Sequence, residues 1–350
     1  MQILDRRISP SAKPYVIAEV SANHGGDLNR ALDMVAAAAE AGACAVKFQT
    51  YTADTITIRC DRPEFRIENP DSLWRGRTLH DLYNEAHMPW EWHARLFEEA
   101  RRQGIHSFSS AFDETAVDYL EALDVPCYKV ASFEHTFIPL LEKVAETKKP
   151  LIVSCGLATF EDIWQTVQAL KDAASGPICL LSCTSNYPAA IEDSNLRRIP
   201  AIKTAFPDCQ VGLSDHTVGH TAAIAAVALG ACVFEKHFKL ADDRTSVDAA
   251  FSATPAELKE YISRINDAWS ALGEAKFGPA SAAEAASMQF RRSIYAVADI
   301  NEGEAFTIKN IRCIRPGRGL HTKYFKSVLG RTAKQSISYG TPLSLDLISE

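Results

Sequence analysis

Residues 15–50 read YVIAEVSANHGGDLNRALDMVAAAAEAGACAVKFQT, and this stretch contains one complete structural repeat. YVIAEV (15–20) is a short apolar run with β-branched residues, and AVKFQT (45–50) is a second. Between them LNRALDMVAAAAEAG spaces apolar residues three and four apart and closes on Gly42, the pattern of a helix with a glycine stop. The same order recurs along the chain, with apolar runs at HSFSSAF (106–112), CYKVAS (127–132), LIVSC (151–155), ICLLSC (178–183), VGLSD (211–215) and CVFEKHF (232–238). Helical stretches such as PWEWHARLFEEARRQG, ETAVDYLEALD and FEDIWQTVQALKDAASG fall between them. Eight strand-then-helix repeats from residue 15 to about 272 predict an α/β fold, a (β/α)8 TIM barrel, which needs about 250 residues.

Outward from this repeat, two segments break the rhythm. Tyr51 to His87 is polar with few periodic apolar residues, and reads as an excursion over the strand ends, where long loops serve as lids or binding loops. After Phe277 the Ala/Ser-rich link GPASAAEAAS leads into short alternating runs with frequent glycine turns. The expected organisation is a barrel over 1–277, a linker over 278–289 and a small β-rich domain over 290–350. A domain of about 60 residues is marginal alone by surface-to-volume scaling, so it is expected to dock on something.

Composition narrows the function classes. With 350 residues, 47% apolar and 23% charged, the chain is an ordinary folded protein of roughly two domains. Gly (17) and Pro (16) are too few for a low-complexity chain. Thr221 to Phe234, the longest weakly polar stretch, is shorter than the ~18 residues of a membrane span. Asp5, Arg6 and Arg7 stand where a signal peptide needs apolar residues, so a cytoplasmic protein is expected. The 37 basic against 44 acidic residues give a net charge of −7, which does not advertise nucleic-acid binding, so an anionic ligand needs a local basic cluster. The nine cysteines are odd in number, lie in apolar runs and form no CxxC pair. Buried thiols in a reducing compartment explain them better than disulfides or a zinc knot.

In a TIM barrel the catalytic groups come from the C-terminal ends of the strands. Those ends are rich in polar residues here: Glu19, Asn23 and His24; Lys47 and Gln49; Ser109 and Ser110; Lys129, Ser132 and Glu134; Ser154; Thr184, Ser185, Asn186 and Tyr187; Ser214, Asp215 and His216; Glu235, Lys236 and His237, with Asp248 beyond. Lys47 and Lys129 beside hydroxyls suit a phosphate, because charge-assisted hydrogen bonds are about twice as strong as neutral ones. The alternative for Lys47 is an ordinary solvated lysine, and for Glu19 and Glu134 simple pairing with the lysines. His216 and His237, on successive predicted strands, either share a metal ion or are satisfied core histidines. Two imidazoles need water or substrate to complete a shell, which favours Mn2+ or Mg2+ over a closed zinc site. The segment RPGRGLHTK is by itself a solvated basic loop.

IAEVSANHGG, AVKFQTY, FSSAFDETAVDYLE, YKVASFE, CTSNYPA, GLSDHT and EKHF, in this order, resemble the sialic acid synthase family, which condenses phosphoenolpyruvate with an N-acetylated amino sugar. RPGRGL resembles that family's C-terminal antifreeze-like (SAF) domain. YKVASFE and VDAAFS are closer to the pseudaminic acid synthase branch, which uses 2,4-diacetamido-2,4,6-trideoxy-altrose, than to the N-acetylneuraminate branch. The resemblance implies His216 and His237 as metal ligands and Glu19 at the reacting centre. It places Lys47, Ser110, Lys129, Ser132, Ser154, Ser185 and Ser214 around phosphoenolpyruvate, and Glu134, Tyr187 and Asp248 at the sugar. Phe133 and Phe251 are expected to supply apolar contacts to the deoxy sugar, while Ser246 and Val247 replace the family's usual Gly-Pro. Arg315 matches an arginine that family dimers project into the partner's barrel mouth, which implies a domain-exchanged homodimer. The remaining readings are an N-acetylneuraminate or legionaminic acid synthase, a Schiff-base aldolase using Lys129 or Lys47, and a non-catalytic carbohydrate-binding protein.

Overall fold

The computed structural model describes residues 1–70 and 72–349. The eight apolar runs form parallel strands: β1 (Tyr15–Glu19), β2 (Ala45–Thr50), β3 (His106–Ala111), β4 (Tyr128–Val130), β5 (Leu151–Ser154), β6 (Ile178–Cys183), β7 (Gln210–Asp215) and β8 (Val233–His237). They pair in chain order, and β8 closes on β1 with Val233 opposite Tyr15 and His237 opposite Glu19. Eight helices form the outer ring: α1 (Leu28–Ala41), α2 (His93–Arg102), α3 (Glu114–Ala122), α4 (Ile138–Glu146), α5 (Phe160–Asp172), α6 (Arg198–Ala205), α7 (Thr221–Ala228) and α8 (Pro255–Leu272). Their ends carry the expected signals. Asp27 caps α1 by accepting from the Asn29 and Arg30 amides, and Gly42 stops it in the left-handed region at φ 93°. Thr254 with Glu257 makes a capping box on α8, behind Pro255 in its first turn.

Strand alternation divides the apolar residues into two cores. Outward-facing Val16, Ala18, Val46, Phe48, Val130 and Val153 pack on the helices. Inward-facing Tyr15, Ile17, Ala45, Phe108, Ile152, Leu181 and Val233 fill the lower barrel, where an N-terminal hairpin (Gln2–Ile3 with Arg6–Arg7) adds Ile3 and Ile8 as a plug. One inward position further along each strand the chemistry changes. Ile17 gives way to Glu19, Ala45 to Lys47, Phe108 to Ser110, Ile152 to Ser154 and Val233 to Glu235. The barrel is therefore apolar at its N-terminal end and charged at its C-terminal end.

The described residues of 51–87 hold more regular structure than their polar composition suggests. They contain the short helices Ala53–Ile56 and Leu79–Ala86, the latter capped by Thr78, and a bridge between Arg66 and Thr78. Elements this short do not complete enough turns to leave a legible period.

The chain divides into two compact units, Met1–Gly273 and Glu274–Glu350. In the second, β9 (Ser293–Ala296) pairs antiparallel with β10 (Ile311–Ile314) over its own core of Ile294, Phe306, Ile311, Ile337 and Leu343. Most of its other pairings are single bridges, such as Ile300 with Ile337. No helix among the described residues is long and apolar enough to cross a membrane.

Gly212 on β7 shows how tightly the lower barrel is filled: a Cβ there would lie 2.2 Å from the Val233 carbonyl oxygen and 2.6 Å from a Leu181 methyl. Gly212→Ala is expected to destabilise the fold by about 1–3 kcal/mol through overpacking. Urea denaturation checks this, and an unchanged midpoint would show that the wall yields.

Candidate functional site

The register carries three polar side chains to one level of the barrel interior: His237 on β8 faces Glu19 on β1, which faces Lys47 on β2. Lys47 Nζ lies 2.6 Å from Glu19 Oε2 and 3.7 Å from Glu235 Oε1, and donates to Ser110 Oγ at 2.9 Å. Lys129 Nζ lies 3.9 Å from Glu235 Oε2 and donates to the Val130 carbonyl at 3.0 Å. Gln49 donates to Glu19 Oε1 at 2.9 Å and to Ser21 Oγ at 3.0 Å, and Ser21 in turn donates to Asp248. Glu19 and Lys129 are each only 1% exposed, so their charges depend on one another for compensation.

That arrangement sets the proton affinities. Burial pushes the Glu19 carboxyl up to about 7, with Lys47 opposing and Glu235 reinforcing the rise. Burial also opposes charge on Lys47, but Glu19 and Glu235 outweigh it and hold the ammonium above its ordinary value. Lys129 is pulled below the usual lysine range by burial. Glu235 resists its burial because Lys129 and Lys47 flank it, and it stays below the ordinary carboxylate value.

The two imidazoles meet at the same end, with ring centroids 5.2 Å apart. His216 Nδ1 lies 2.8 Å from the Thr184 carbonyl, a contact that requires Nδ1 to donate and leaves Nε2 as the free ligating nitrogen. His237 is buried and pushed well below its ordinary pKa by that burial and by His216, hence neutral, and its Nδ1 has no hydrogen-bond partner. Tyr187 lies 4.4 Å from the His216 ring centroid, and Phe251 lies 5.0 Å from His237. Cys183 Sγ sits 3.9 Å from His216 Nδ1; burial raises its thiol, but His216 outweighs burial and draws it down to about 7. Among the described residues no cluster of three or more His, Cys, Asp or Glu has metal-ligand geometry. One oriented imidazole and one neutral imidazole, whose Nδ1 lies 3.9 Å from Asp248 Oδ2 without a hydrogen bond, nevertheless suit a divalent cation whose remaining ligands come from water or substrate.

Above these groups opens a cavity of about 470 Å³. Lys129, Ser132, Ser154, Ser185, Ser214, Glu134, Tyr187, Asp248, His216, His237 and Phe133 line it. Glu19, Lys47 and Ser110 do not; they connect to it through Gln49 and Glu235, which do. Phe251 is buried against Tyr187 and His237 and is not part of the lining, whereas Phe133 is 62% exposed. Arg315 is exposed on the second unit. One corner is shaped for hydroxyl donors: a Cβ on Gly156 would lie 2.1 Å from Ser185 Oγ and 2.7 Å from Ser132 Oγ, and the buried Ser154 hydroxyl has no partner.

Two groups received no role from the sequence. Glu235 bridges the two lysines, and its position two residues before His237 on one strand already marks it as facing inward. The apolar side of the cavity, including Ile56, Ile67, Trp74, Leu79 and Leu82, comes from the 51–87 excursion, where no periodicity pointed to it.

Comparison with known proteins extends over the whole chain. Residues 34–277 match the NeuB family and residues 291–349 the SAF domain. The pseudaminic acid synthase of Campylobacter jejuni is 42% identical over 331 residues, 95% of each chain. That of Helicobacter pylori is 40% identical over 335 residues, covering 95% of this chain and 97% of the relative. The crystal structure of the spore coat polysaccharide biosynthesis protein SpsE from Bacillus subtilis superimposes with a TM-score of 0.68 at 33% identity, covering 100% of this chain and 99% of that one.

Glu134 provides a test of the site's electrostatics in the folded protein. Burial raises its carboxyl from 4.5 to about 7, and its Oε2 has no hydrogen-bond partner. Between those values the folded state binds more protons than the unfolded state, so this group's contribution to stability is present below pH 4.5 and lost as pH rises through 7. The full cost approaches about 3 kcal/mol at 1.36 kcal/mol per pKa unit. Glu134→Gln is expected to flatten this fall and raise the melting temperature at pH 8, which thermal melts across pH 4–8 would check.

Proposed function

The chain belongs to the NeuB family, and from this we infer that it condenses phosphoenolpyruvate with 2,4-diacetamido-2,4,6-trideoxy-altrose to give pseudaminic acid and inorganic phosphate. The observation that carries the reading is the concentration of two buried lysines, two carboxylates and two imidazoles at one end of the barrel, in a chain so similar throughout its length to pseudaminic acid synthases.

Phosphoenolpyruvate takes the cationic side, near Lys129 and the hydroxyls of Ser132, Ser154, Ser185 and Ser214 that line the cavity, with Lys47 and Ser110 behind Glu235 adding positive charge and a hydroxyl beneath it. The close approach of Gly156 to Ser132 and Ser185 lets hydroxyl donors converge on a phosphate. The open-chain sugar presents its aldehyde toward His216 and His237, with Glu134, Tyr187 and Asp248 along its length. Mn2+ or Mg2+ held by the two imidazoles supplies Lewis-acid polarisation of the aldehyde oxygen when bound. C3 of phosphoenolpyruvate bonds to the aldehyde carbon, whose oxygen takes up a proton; water adds at C2 and gives up one; the C2–O bond to the phosphate then breaks, the new C2 hydroxyl becomes the ketone carbonyl as it loses its proton, and phosphate leaves with that proton. Glu19, with its carboxyl near 7 and Gln49 on Oε1, is suited to take the water's proton, and Lys47 at 2.6 Å favours the carboxylate form that accepts it. Alignment of the two substrates over a rigid barrel end lowers the entropic part of the barrier.

The same reading extends to a cytoplasmic, domain-exchanged homodimer, in which the exposed Arg315 of one subunit reaches the barrel mouth of the other. Nine free cysteines suit a reducing compartment. One observation favours a second chemistry: Lys129, lowered by burial, has the property of a Schiff-base lysine.

Incubation with phosphoenolpyruvate, Mn2+ and each of three sugars tests the assignment. The altrose derivative is expected to release phosphate and yield a product of pseudaminic acid mass, with activity lost on EDTA treatment or in His237→Ala. Turnover of N-acetylmannosamine or 2,4-diacetamido-2,4,6-trideoxymannose instead would reassign the product to N-acetylneuraminate or legionaminic acid. Borohydride trapping of pyruvate, insensitive to chelator, would reassign the reaction to an aldolase. In a separate test, Gly156→Ala is expected to raise KM for phosphoenolpyruvate about 10–100-fold, the equivalent of losing one charged hydrogen bond worth about 1.5–3 kcal/mol.

A further inference from the structure

We propose that Ser21 is a positioning residue for the sugar: its hydroxyl fixes the Asp248 carboxylate at the cavity, and its left-handed backbone brings that hydroxyl into place. The inference rests on the reading of Asp248 as a sugar contact and adds the residue that aims it.

Ser21 opens the short turn Ser21–His24 that follows β1. Its φ is 47°, in the left-handed region, where a side chain carries a cost that glycine avoids. Strain of this kind persists only where the surrounding structure holds it, and it points to a function for the residue that bears it. Val20 is right-handed, and a right-handed residue followed by a left-handed one turns successive amides toward one anion. Here the anion belongs to the chain itself. Ser21 donates its hydroxyl hydrogen to Asp248 Oδ2, and the Ala22 amide also hydrogen-bonds that carboxyl. Gln49 Nε2 donates to the serine oxygen at 3.0 Å and to Glu19 Oε1 at 2.9 Å, so the serine is gripped between the two carboxylates. Ser21 lines the cavity, but its hydroxyl hydrogen is committed to Asp248, and it therefore acts on a substrate through that carboxylate.

Asp248 depends on these donors for its aim. Among the described residues no lysine or arginine pairs with it, and the neutral His237 lies 3.9 Å away without a hydrogen bond. The main chain at Asp248 is held separately. Asn23 Nδ2 donates to Ser252 Oγ at 2.8 Å, and Ser252 donates to the Asp248 carbonyl at 2.7 Å. Asn23 also donates to the Phe238 carbonyl at 2.8 Å. Removing the Ser21 hydroxyl thus frees the carboxylate while the loop that carries it stays anchored.

The test measures KM for the sugar and for phosphoenolpyruvate in the full-length protein, with whichever of the three sugars the wild type turns over. Ser21→Ala and Ser21→Gly are each expected to raise the sugar KM about tenfold or more, the scale for losing a hydrogen bond to a charged group. The KM for phosphoenolpyruvate is expected to stay within about twofold of the wild type, because losing that one hydrogen bond frees Asp248 alone. Both variants lack the hydroxyl and only alanine keeps the left-handed cost, so Ser21→Gly is expected to melt above Ser21→Ala. A sugar KM unchanged in both variants overturns the proposal and leaves the reaction standing. A rise confined to Ser21→Gly would trace to backbone freedom, and a parallel rise in both KM values to a general disturbance of the site; either overturns the role of the hydroxyl. If the wild type turns over none of the three sugars, the reaction itself is misassigned and the proposal falls with it.

Discussion

Two ammonium groups and two carboxylates share the upper interior of the barrel, and much of the candidate site depends on their mutual compensation. Lys47 stands between Glu19 and Glu235, and Glu235 stands between Lys47 and Lys129. Removing any one from this dry space leaves an uncompensated charge, at a cost of about 3–5 kcal/mol for a buried pair. The apolar plug below, from Ile3 and Ile8 through Phe108 and Leu181, fills the other end of the barrel with hydrocarbon, and the cavity lies at the strand ends. A buried quartet with balanced sign is costly as a source of stability and useful as a source of poise. Its proton affinities are displaced in opposite directions, with Glu19 raised and Glu235 lowered, although both are glutamates within reach of the same lysine.

The imidazole pair is built on the same logic of adjacent strands. His216 follows β7 and His237 ends β8, and each is oriented by something other than its partner: His216 by the Thr184 carbonyl, His237 by packing against Tyr187 and Phe251. Phe251 thus acts behind the ring. Tyr187 touches both imidazoles and also faces Trp74, so the aromatic contacts run continuously from the strand ends into the excursion. The cavity consequently has a charged floor carried by rigid strands and a side carried by a folded insertion that sets Ile67, Leu73, Trp74 and Leu79 beside the polar Asn69 and Ser72.

The β/α repeat and its polar strand ends were legible because their signals are local. A period near 3.6 with a glycine stop identifies Leu28–Ala41 within its own residues, and the polar residues that end the apolar runs AVKFQT, LIVSC and CVFEKHF mark Lys47, Ser154, Glu235 and His237 as strand-end candidates without reference to any other strand. What only the tertiary structure decided involves segments far apart in the chain. Closure of β8 on β1 sets Glu235 against Lys47, and Lys47 is buried between two carboxylates instead of reaching solvent. Side-chain packing turned Phe251 away from the cavity, and the turns of residues 51–87 brought Ile67, Trp74 and Leu79 to its side. Neither leaves a period in the sequence, because both depend on three-dimensional neighbours that the chain supplies from other elements.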